Sequence, residues 1–400
     1  MPSPAESLLW ISIAAVLAPL LALLVPRRLV PEVVLLLAFG VVIGPNVLDI
    51  AAQDQAISLL RELGLGMLFL LAGYEIEPAE LAGRDGRRAF LTWFVCFGVA
   101  LAVGLGFEVA GLLDHEIALS IALTSTALGT LLPILKDGGL LSGRVGASVV
   151  RHGAYGELAP VVAMAILLSS HGLVGSLVAL AAFGLVAAAF AVPSLRLERE
   201  TSRLLAMVRH GAETTGQTPL RLTMLLLVAL IAVAELLDLD VVLAAFAAGF
   251  ILRLALPQGD EQLEVKITGI AFGFLVPVFF VTSGMAIDPE VIVSNMPTFG
   301  LMFVLILLAR GFPVFLASRF TGPPESRFGG RDSLSIGLFA ATGLPIIVAV
   351  TSVAVEAGQM STENASILVG AGAATVLLCP MLATLVLGTS APSAPRQQVK

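Results

Sequence analysis

Charge is scarce in this sequence. Only 13% of its 400 residues are charged and 58% are hydrophobic, whereas about a quarter of the residues in a typical soluble domain are charged. There are four histidines and two cysteines, and Cys96 and Cys379 both fall in apolar stretches, so we expect neither a disulfide framework nor a resident metal site. The sequence also lacks a phosphate-binding glycine loop and a nucleophile–base pattern. We therefore predict no enzyme, no cofactor and no nucleic-acid partner.

Long apolar runs dominate what is present. A helix needs about 20 apolar residues to cross the hydrocarbon core of a bilayer, and many stretches meet that length. They predict an all-α polytopic membrane protein with about 13 transmembrane helices. The predicted spans lie near residues 7–26, 31–48, 57–77, 88–112, 116–135, 144–170, 172–195, 221–237, 240–256, 268–287, 297–318, 333–355 and 364–388.

The basic residues indicate the orientation of these spans. If the N-terminus lies outside, almost all arginines and lysines fall in cytoplasmic segments, while the outer loops are acidic. This is the positive-inside pattern, and it predicts an outside N-terminus and a cytoplasmic C-terminus in the cell membrane. The longest break between spans, 196–220, is predicted to be a cytoplasmic linker. Either it is a plain linker throughout, or part of it lies on the membrane surface as an amphipathic helix.

Two halves of the chain resemble each other. "GYEIEP" at 73–78 recurs as "GMAIDP" at 284–289, and "LSIAL" at 119–123 recurs as "LSIGL" at 334–338. The matches pair spans that are seven helices apart, so each partner runs in the opposite direction. Such an inverted-topology repeat is typical of secondary transporters that alternate around a site near the middle of the membrane.

The fifth and twelfth spans correspond within this repeat, and both contain helix-breaking residues. Proline and glycine weaken a helix, so we predict two discontinuous helices that cross each other, with freed carbonyls available to an ion. Ordinary packing of small residues is the alternative. The residues concerned are Thr124, Ser125, Thr126, Gly129 and Pro133 in one span and Thr342, Gly343 and Pro345 in the other.

Glu157 lies in the middle of the sixth span, where an ionisable residue costs about 2.5–3.5 kcal/mol and is usually functional. Its repeat-related counterpart is close to Val376, so the helix itself does not require a carboxylate. We predict that Glu157 binds a proton and an ion, the alternative being a neutral or structurally paired glutamate. Tyr155 and Gly156 beside it are candidate supporting residues.

Among the other ionisable residues within spans, Arg310 and His152 are further candidates for the site. Arg310 is either a counter-charge for the site or a structural tie to unwound carbonyls. His152 is a candidate pH sensor because an unperturbed imidazole titrates near neutral pH; the alternative is a lining residue without a specific role.

Several segments together resemble the monovalent cation/proton antiporters of the Kef-like branch, within the sodium/hydrogen exchanger domain family. The segments are "LLLAFGVVIGPNVL" (35–48), "LGLGMLFLLAGYEIEP" (63–78), "LSIALTSTALGTLLPILKDGGLLS" (119–142) and "FGFLVPVFFVTSGMAID" (272–288). The resemblance implies a homodimer with a dimerisation part, about 7–77 and 221–287, and an ion-transporting core, about 88–170 and 297–388.

By position, the resemblance makes Glu157 the ion-binding acid, Thr124–Thr126 the polar breakpoint and Arg310 the basic residue of the eleventh span. This sequence has Gly156-Glu157 where the family commonly has a polar residue followed by aspartate. Kef systems also carry a nucleotide-binding regulatory domain after the membrane part, and we expect none after residue 388.

The expected function is exchange of protons for Na⁺ or K⁺ by alternating access, because both ions are hard and suit carboxylate, hydroxyl and carbonyl oxygens. With one acid at the site, 1:1 exchange is expected. One alternative is a proton-coupled exporter of an organic solute, with Gly156 making room for a larger ligand. The other is a non-transporting membrane subunit of a sensor.

Overall fold

The structure is a computed structural model that describes most of the chain, and every element in the described residues is a helix. This confirms the all-α class. Eight of the described helices are long and apolar enough to cross a membrane, and helices occupy each of the predicted spans. Most of the predicted linker at 196–220 lies outside the described residues. Those residues are 2–24, 30–81, 83–109, 116–137, 139–168, 172–197, 217–256, 259–323 and 327–388.

We number the helices in chain order. They are α1 (Pro4–Leu24), α2 (Glu32–Ile43), α3 (Gln55–Glu75), α4 (Pro78–Leu81), α5 (Gly83–Val109), α6 (Glu116–Leu123), α7 (Leu128–Asp137), α8 (Arg144–Leu167), α9 (Gly172–Leu197), α10 (Thr218–Leu236), α11 (Val241–Ala255), α12 (Glu261–Met285), α13 (Pro289–Ser294), α14 (Met296–Phe320), α15 (Gly330–Ala340), α16 (Leu344–Glu356) and α17 (Thr362–Leu387). Helices α12 and α14 each contain one π-helical turn, at Ala271–Leu275 and Leu307–Gly311.

The helices pack in two groups. Helices α1–α3 pack mainly with α10–α12, and α5–α8 pack with one another and with α14–α17. The second group has its own apolar cluster, which includes Cys96, Leu131, Val149, Val314 and Phe339. The two groups correspond to the predicted dimerisation part and core, although that assignment of roles stays a prediction.

Helices α3 and α11 approach each other more closely than side chains would permit. Gly249 of α11 faces the backbone of α3, and a Cβ built on it would meet the carbonyl of Leu70 and lie 2.8 Å from the backbone nitrogen of Tyr74. In return, Gly73 of α3 faces the backbone of Phe246. Small residues on both helices therefore allow backbone-to-backbone packing, as is common between membrane helices.

We expect Gly249→Ala to lower the thermal denaturation midpoint of the purified protein, because the added methyl meets backbone that cannot move aside. Overpacking of this kind costs about 1–3 kcal/mol. Gly98→Ala is the matched control, since a Cβ at Gly98 in α5 meets nothing within 4 Å. An equal midpoint for both variants in detergent would contradict this account of the packing.

Candidate functional site

Hydrogen bonds from hydroxyl side chains stabilise the helix break between α6 and α7. The Thr124 hydroxyl donates to the carbonyl of Ser120, and the Ser125 hydroxyl donates to the carbonyl of Ala122 at 2.7 Å. Such local bonds compete with the helical pattern, and the chain is not helical again until α7 begins at Leu128. The break therefore falls at the threonines and serine and not at Pro133, which lies inside α7.

The second break, between α15 and α16, crosses the first one, as predicted. The Ala127 N–H donates to the carbonyl of Thr342 at 2.8 Å. The hydroxyl of Ser125 also reaches the carbonyl of Gly343, at 3.3 Å. A Cβ on Gly343 would lie 2.7 Å from the carbonyl oxygen of Ser125, so only glycine allows the two chains to approach this closely.

Arg310 joins the first break to α8. The side chain is fully buried, and its Nε donates to the hydroxyl of Thr126 at 2.9 Å, while Nη2 donates to the carbonyl of His152 at 2.5 Å. A third contact runs from Nη1 to the Cys96 sulfur at 3.7 Å. Every one of these partners is uncharged. Of the two roles considered for Arg310, these contacts match the structural one, because the side chain connects the unwound segment to α8. None of these hydrogen bonds goes to Glu157.

The same contacts explain the glycine at position 156. A Cβ there would meet Nη2 of Arg310 and would lie 2.6 Å from the hydroxyl oxygen of Thr126. The space beside Gly156 is therefore filled by Arg310 and Thr126. The expectation that Gly156 makes room for a larger ligand is wrong.

Glu157 lies beside the crossing, with 3% of its surface exposed. The backbone N–H of Leu128, the first residue of α7, lies close to its carboxylate. The N-terminus of a helix stabilises negative charge, so the start of α7 is a favourable place for this group. The second carboxylate oxygen, Oε2, is buried without a hydrogen-bond partner among the described residues.

A cavity of about 840 Å³ lies in front of Glu157, between the two groups of helices. Three carboxylates line it, from Glu32, Glu75 and Glu157, and none of the described lining residues is basic. Thr130 and Thr384 add hydroxyl groups to an otherwise apolar wall. Such a cavity favours a cation over an anion.

Glu75 is the functional candidate that sequence reasoning missed. It is the last residue of α3, its Oε2 is buried without a partner among the described residues, and it lies near enough to Glu157 for their charges to interact. Its carboxylate oxygens would be 3.6 and 3.9 Å from a Cβ on Gly129 of α7. The repeat contains a signal for it, since Glu75 corresponds to Ala286 just as Glu157 corresponds to Val376.

The other predicted site residues lie around the crossing without lining this cavity, whereas Gly129 and Pro345 of the two predicted breaks do line it. Thr124 and Ser125 are fully engaged with backbone carbonyls, and the Thr342 hydroxyl donates to the carbonyl of Phe339 at 2.7 Å. The Tyr155 hydroxyl donates to the carbonyl of Leu81 at 2.9 Å and so ties α8 to α4. His152 lies against a different cavity.

Comparison with known proteins agrees with this arrangement. The Bacillus subtilis protein YjbQ is 24% identical over 91% of the chain, and the glutathione-regulated potassium-efflux protein KefC of Klebsiella pneumoniae is 26% identical over 80%. The chain spans only 60% and 51% of the lengths of these two relatives. The sodium/proton antiporter MjNhaP1 of Methanocaldococcus jannaschii has a similar fold, with a TM-score of 0.63 over 98% of this chain and 100% of that one at 18% identity.

Residues 12–387 match the family described as "Sodium/hydrogen exchanger, transmembrane". The resemblance seen in the sequence is thereby confirmed, and the helical, multi-pass architecture agrees with it. The chain belongs to the transmembrane sodium/hydrogen exchanger family.

Proposed function

We propose that this protein exchanges protons for a monovalent cation, Na⁺ or K⁺, across the cell membrane. One observation carries the proposal: Glu75 and Glu157 share one cavity, and each has a buried carboxylate oxygen without a partner among the described residues. Unpaired buried carboxylates are costly. Binding a proton or a cation is the direct way to compensate them.

Both kinds of ligand satisfy the same oxygens. Na⁺ and K⁺ are hard ions that favour carboxylate and hydroxyl ligands, and the hydroxyls of Thr130 and Thr384 lie in the same wall. Repulsion between two nearby carboxylates is relieved by either ligand. A proton and a cation therefore compete, which is the requirement for exchange.

Thr124, Ser125 and Thr126 have a different role in this proposal. Their hydroxyls donate to backbone carbonyls and hold the crossing in place, so the ion ligands are the carboxylates. A second carboxylate also removes the argument for one proton per cation, which rested on Glu157 alone.

The different contacts at the two ends of α3 support alternating access, because one end lines the cavity and the other is joined to α16. Glu75 lines the cavity at one end. About 20 Å away along the helix, Nη2 of Arg61 donates to the Ser352 hydroxyl at 2.7 Å, and Nη1 lies 3.8 Å from Glu356. These contacts join α3 to α16 and close the end opposite the cavity. Opening that end requires them to separate as the two groups of helices move.

The side of opening follows from the predicted orientation. The cavity reaches the end of α1 and the start of α2, which the positive-inside pattern assigns to the cytoplasm. We accordingly propose that the cavity opens to the cytoplasm and that α1–α3 with α10–α12 form the dimerisation part of a homodimer.

In proteoliposomes, we expect added Na⁺ or K⁺ to dissipate an imposed pH gradient, and Glu157→Gln to abolish this response, because the amide cannot take up a proton in exchange for a cation. The measurement is the recovery of a pH-sensitive dye on addition of Na⁺, K⁺ or Li⁺. Wild-type vesicles that respond to none of the three would overturn the proposal.

Glu75→Gln is expected to keep some exchange but to raise the KM for the cation about tenfold or more, since loss of about 1.4 kcal/mol of binding energy has that effect. Glu62→Gln provides the matched control, because Glu62 lies on the same helix and is exposed. If Glu75→Gln and Glu62→Gln give the same KM, Glu75 is not a ligand.

Gly156→Ala should reduce the rate of exchange by about tenfold or more. The added methyl would push Arg310 and Thr126 apart, and overpacking of this kind costs about 1–3 kcal/mol. The control is Gly184→Ala, where a Cβ meets nothing within 4 Å. Exchange would be compared at equal amounts of reconstituted protein. Wild-type exchange by Gly156→Ala would show that this contact does not position the site.

A further inference from the structure

A second cavity, of about 280 Å³, lies at the end of the core that carries the first turns of α5 and α8. Its walls come from these two helices, from the C-terminal end of α14 and from the segment around Phe328. None of the residues around it belongs to the proposed cation cavity. It is therefore a separate site with its own chemistry.

The charge of this cavity is opposite to that of the first. Arg88, Arg144 and Arg151 line it, and Asp85 is the one carboxylate among the described lining residues. Asp85 holds two of the arginines, at 2.8 Å from Arg88 and 3.8 Å from Arg151. The Arg144 guanidinium lies over the ring of Phe328, 5.1 Å from its centroid. The three cationic groups are thus held around one space before any ligand arrives.

His152 adds a buried acceptor to the same cavity. Its Nδ1 lies 2.9 Å from the carbonyl of Ser148, which can only accept, so Nδ1 carries the proton. In a neutral ring Nε2 is then an acceptor. Nε2 is buried and has no partner among the described residues, and His152 lines the cavity; we assign a hydroxyl donor of the ligand as its partner.

We propose that this cavity binds a phosphate-type oxyanion that also carries a hydroxyl group. Arginine pairs with phosphate oxygens through charge-assisted, often bidentate, hydrogen bonds, and the hydroxyl donates to Nε2 of His152. Hydrogen phosphate and the glycerol-phosphate headgroup of phosphatidylglycerol share this chemistry. The proposal does not depend on the transported ion, because no residue is common to the two cavities.

The test uses the purified full chain and its thermal denaturation midpoint. Inorganic phosphate and sulfate are titrated separately at constant ionic strength, and phosphatidylglycerol is compared with phosphatidylcholine in mixed micelles. We expect a saturable rise in the midpoint with phosphate, phosphatidylglycerol or both. Phosphate should half-saturate at about tenfold lower concentration than sulfate, which has no hydroxyl at neutral pH, because one hydrogen bond is missing.

Arg144→Gln and Arg151→Gln should each raise the half-saturating concentration about tenfold or more, the effect of losing a charge-assisted hydrogen bond. Arg87→Gln is the matched control, because Arg87 is exposed on α5 and does not line the cavity. His152→Leu should remove the preference for phosphate over sulfate while leaving an anion response.

The outcomes separate the two sources of ligand. A response to inorganic phosphate that Arg144→Gln weakens identifies a soluble phosphate, and a response to phosphatidylglycerol alone that the same change removes identifies a lipid headgroup. The proposal is overturned if neither ligand shifts the midpoint, if Arg144→Gln and Arg87→Gln respond alike, or if inorganic phosphate shifts the midpoint and sulfate does so equally well in the wild-type protein.

Discussion

The arrangement of the site depends on one buried positive charge. Arg310 cannot lose its proton inside a protein, and burying an ion without compensation is expensive. Its hydrogen bonds to the Thr126 hydroxyl and the His152 carbonyl supply that compensation. They also fix the first helix break against α8, and they leave no space for a side chain at Gly156. The place of Glu157, the next residue, follows from the way Arg310 is satisfied.

Because Arg310 is satisfied by neutral groups, no basic side chain in the described part of the chain is paired with Glu157. An arginine bonded directly to that carboxylate would compete with any transported ion. Instead the carboxylate faces the cavity, opposite Glu75. Glu75 belongs to α3, in the other group of helices, so a cation held by both acids would bridge the two groups. In the proposed mechanism, binding is thereby coupled to the movement that opens and closes the site.

The spans, the two breaks and the family could be predicted from the sequence, because long apolar runs and clustered helix-breaking residues are local signals. The partners of Arg310 could not, since hydropathy places a residue at a depth but does not say which neighbour it meets. Glu75 was missed for a related reason. It ends a span, where an acidic residue normally reaches water, whereas in the folded protein α3 packs against α7 and the Oε2 of Glu75 is buried.

The repeat is symmetric in backbone and asymmetric in chemistry. Glu75 and Glu157 correspond to Ala286 and Val376, so both carboxylates come from the first half, whereas the second half contributes Arg310 and the second break. Four acids around one crossing would repel one another more strongly than a single monovalent cation could offset. Two similar halves suffice for opening on alternate sides, and one pair of acids suffices for one ion. In the proposed mechanism, the absence of a second pair of acids suits this scaffold to the exchange of a monovalent ion.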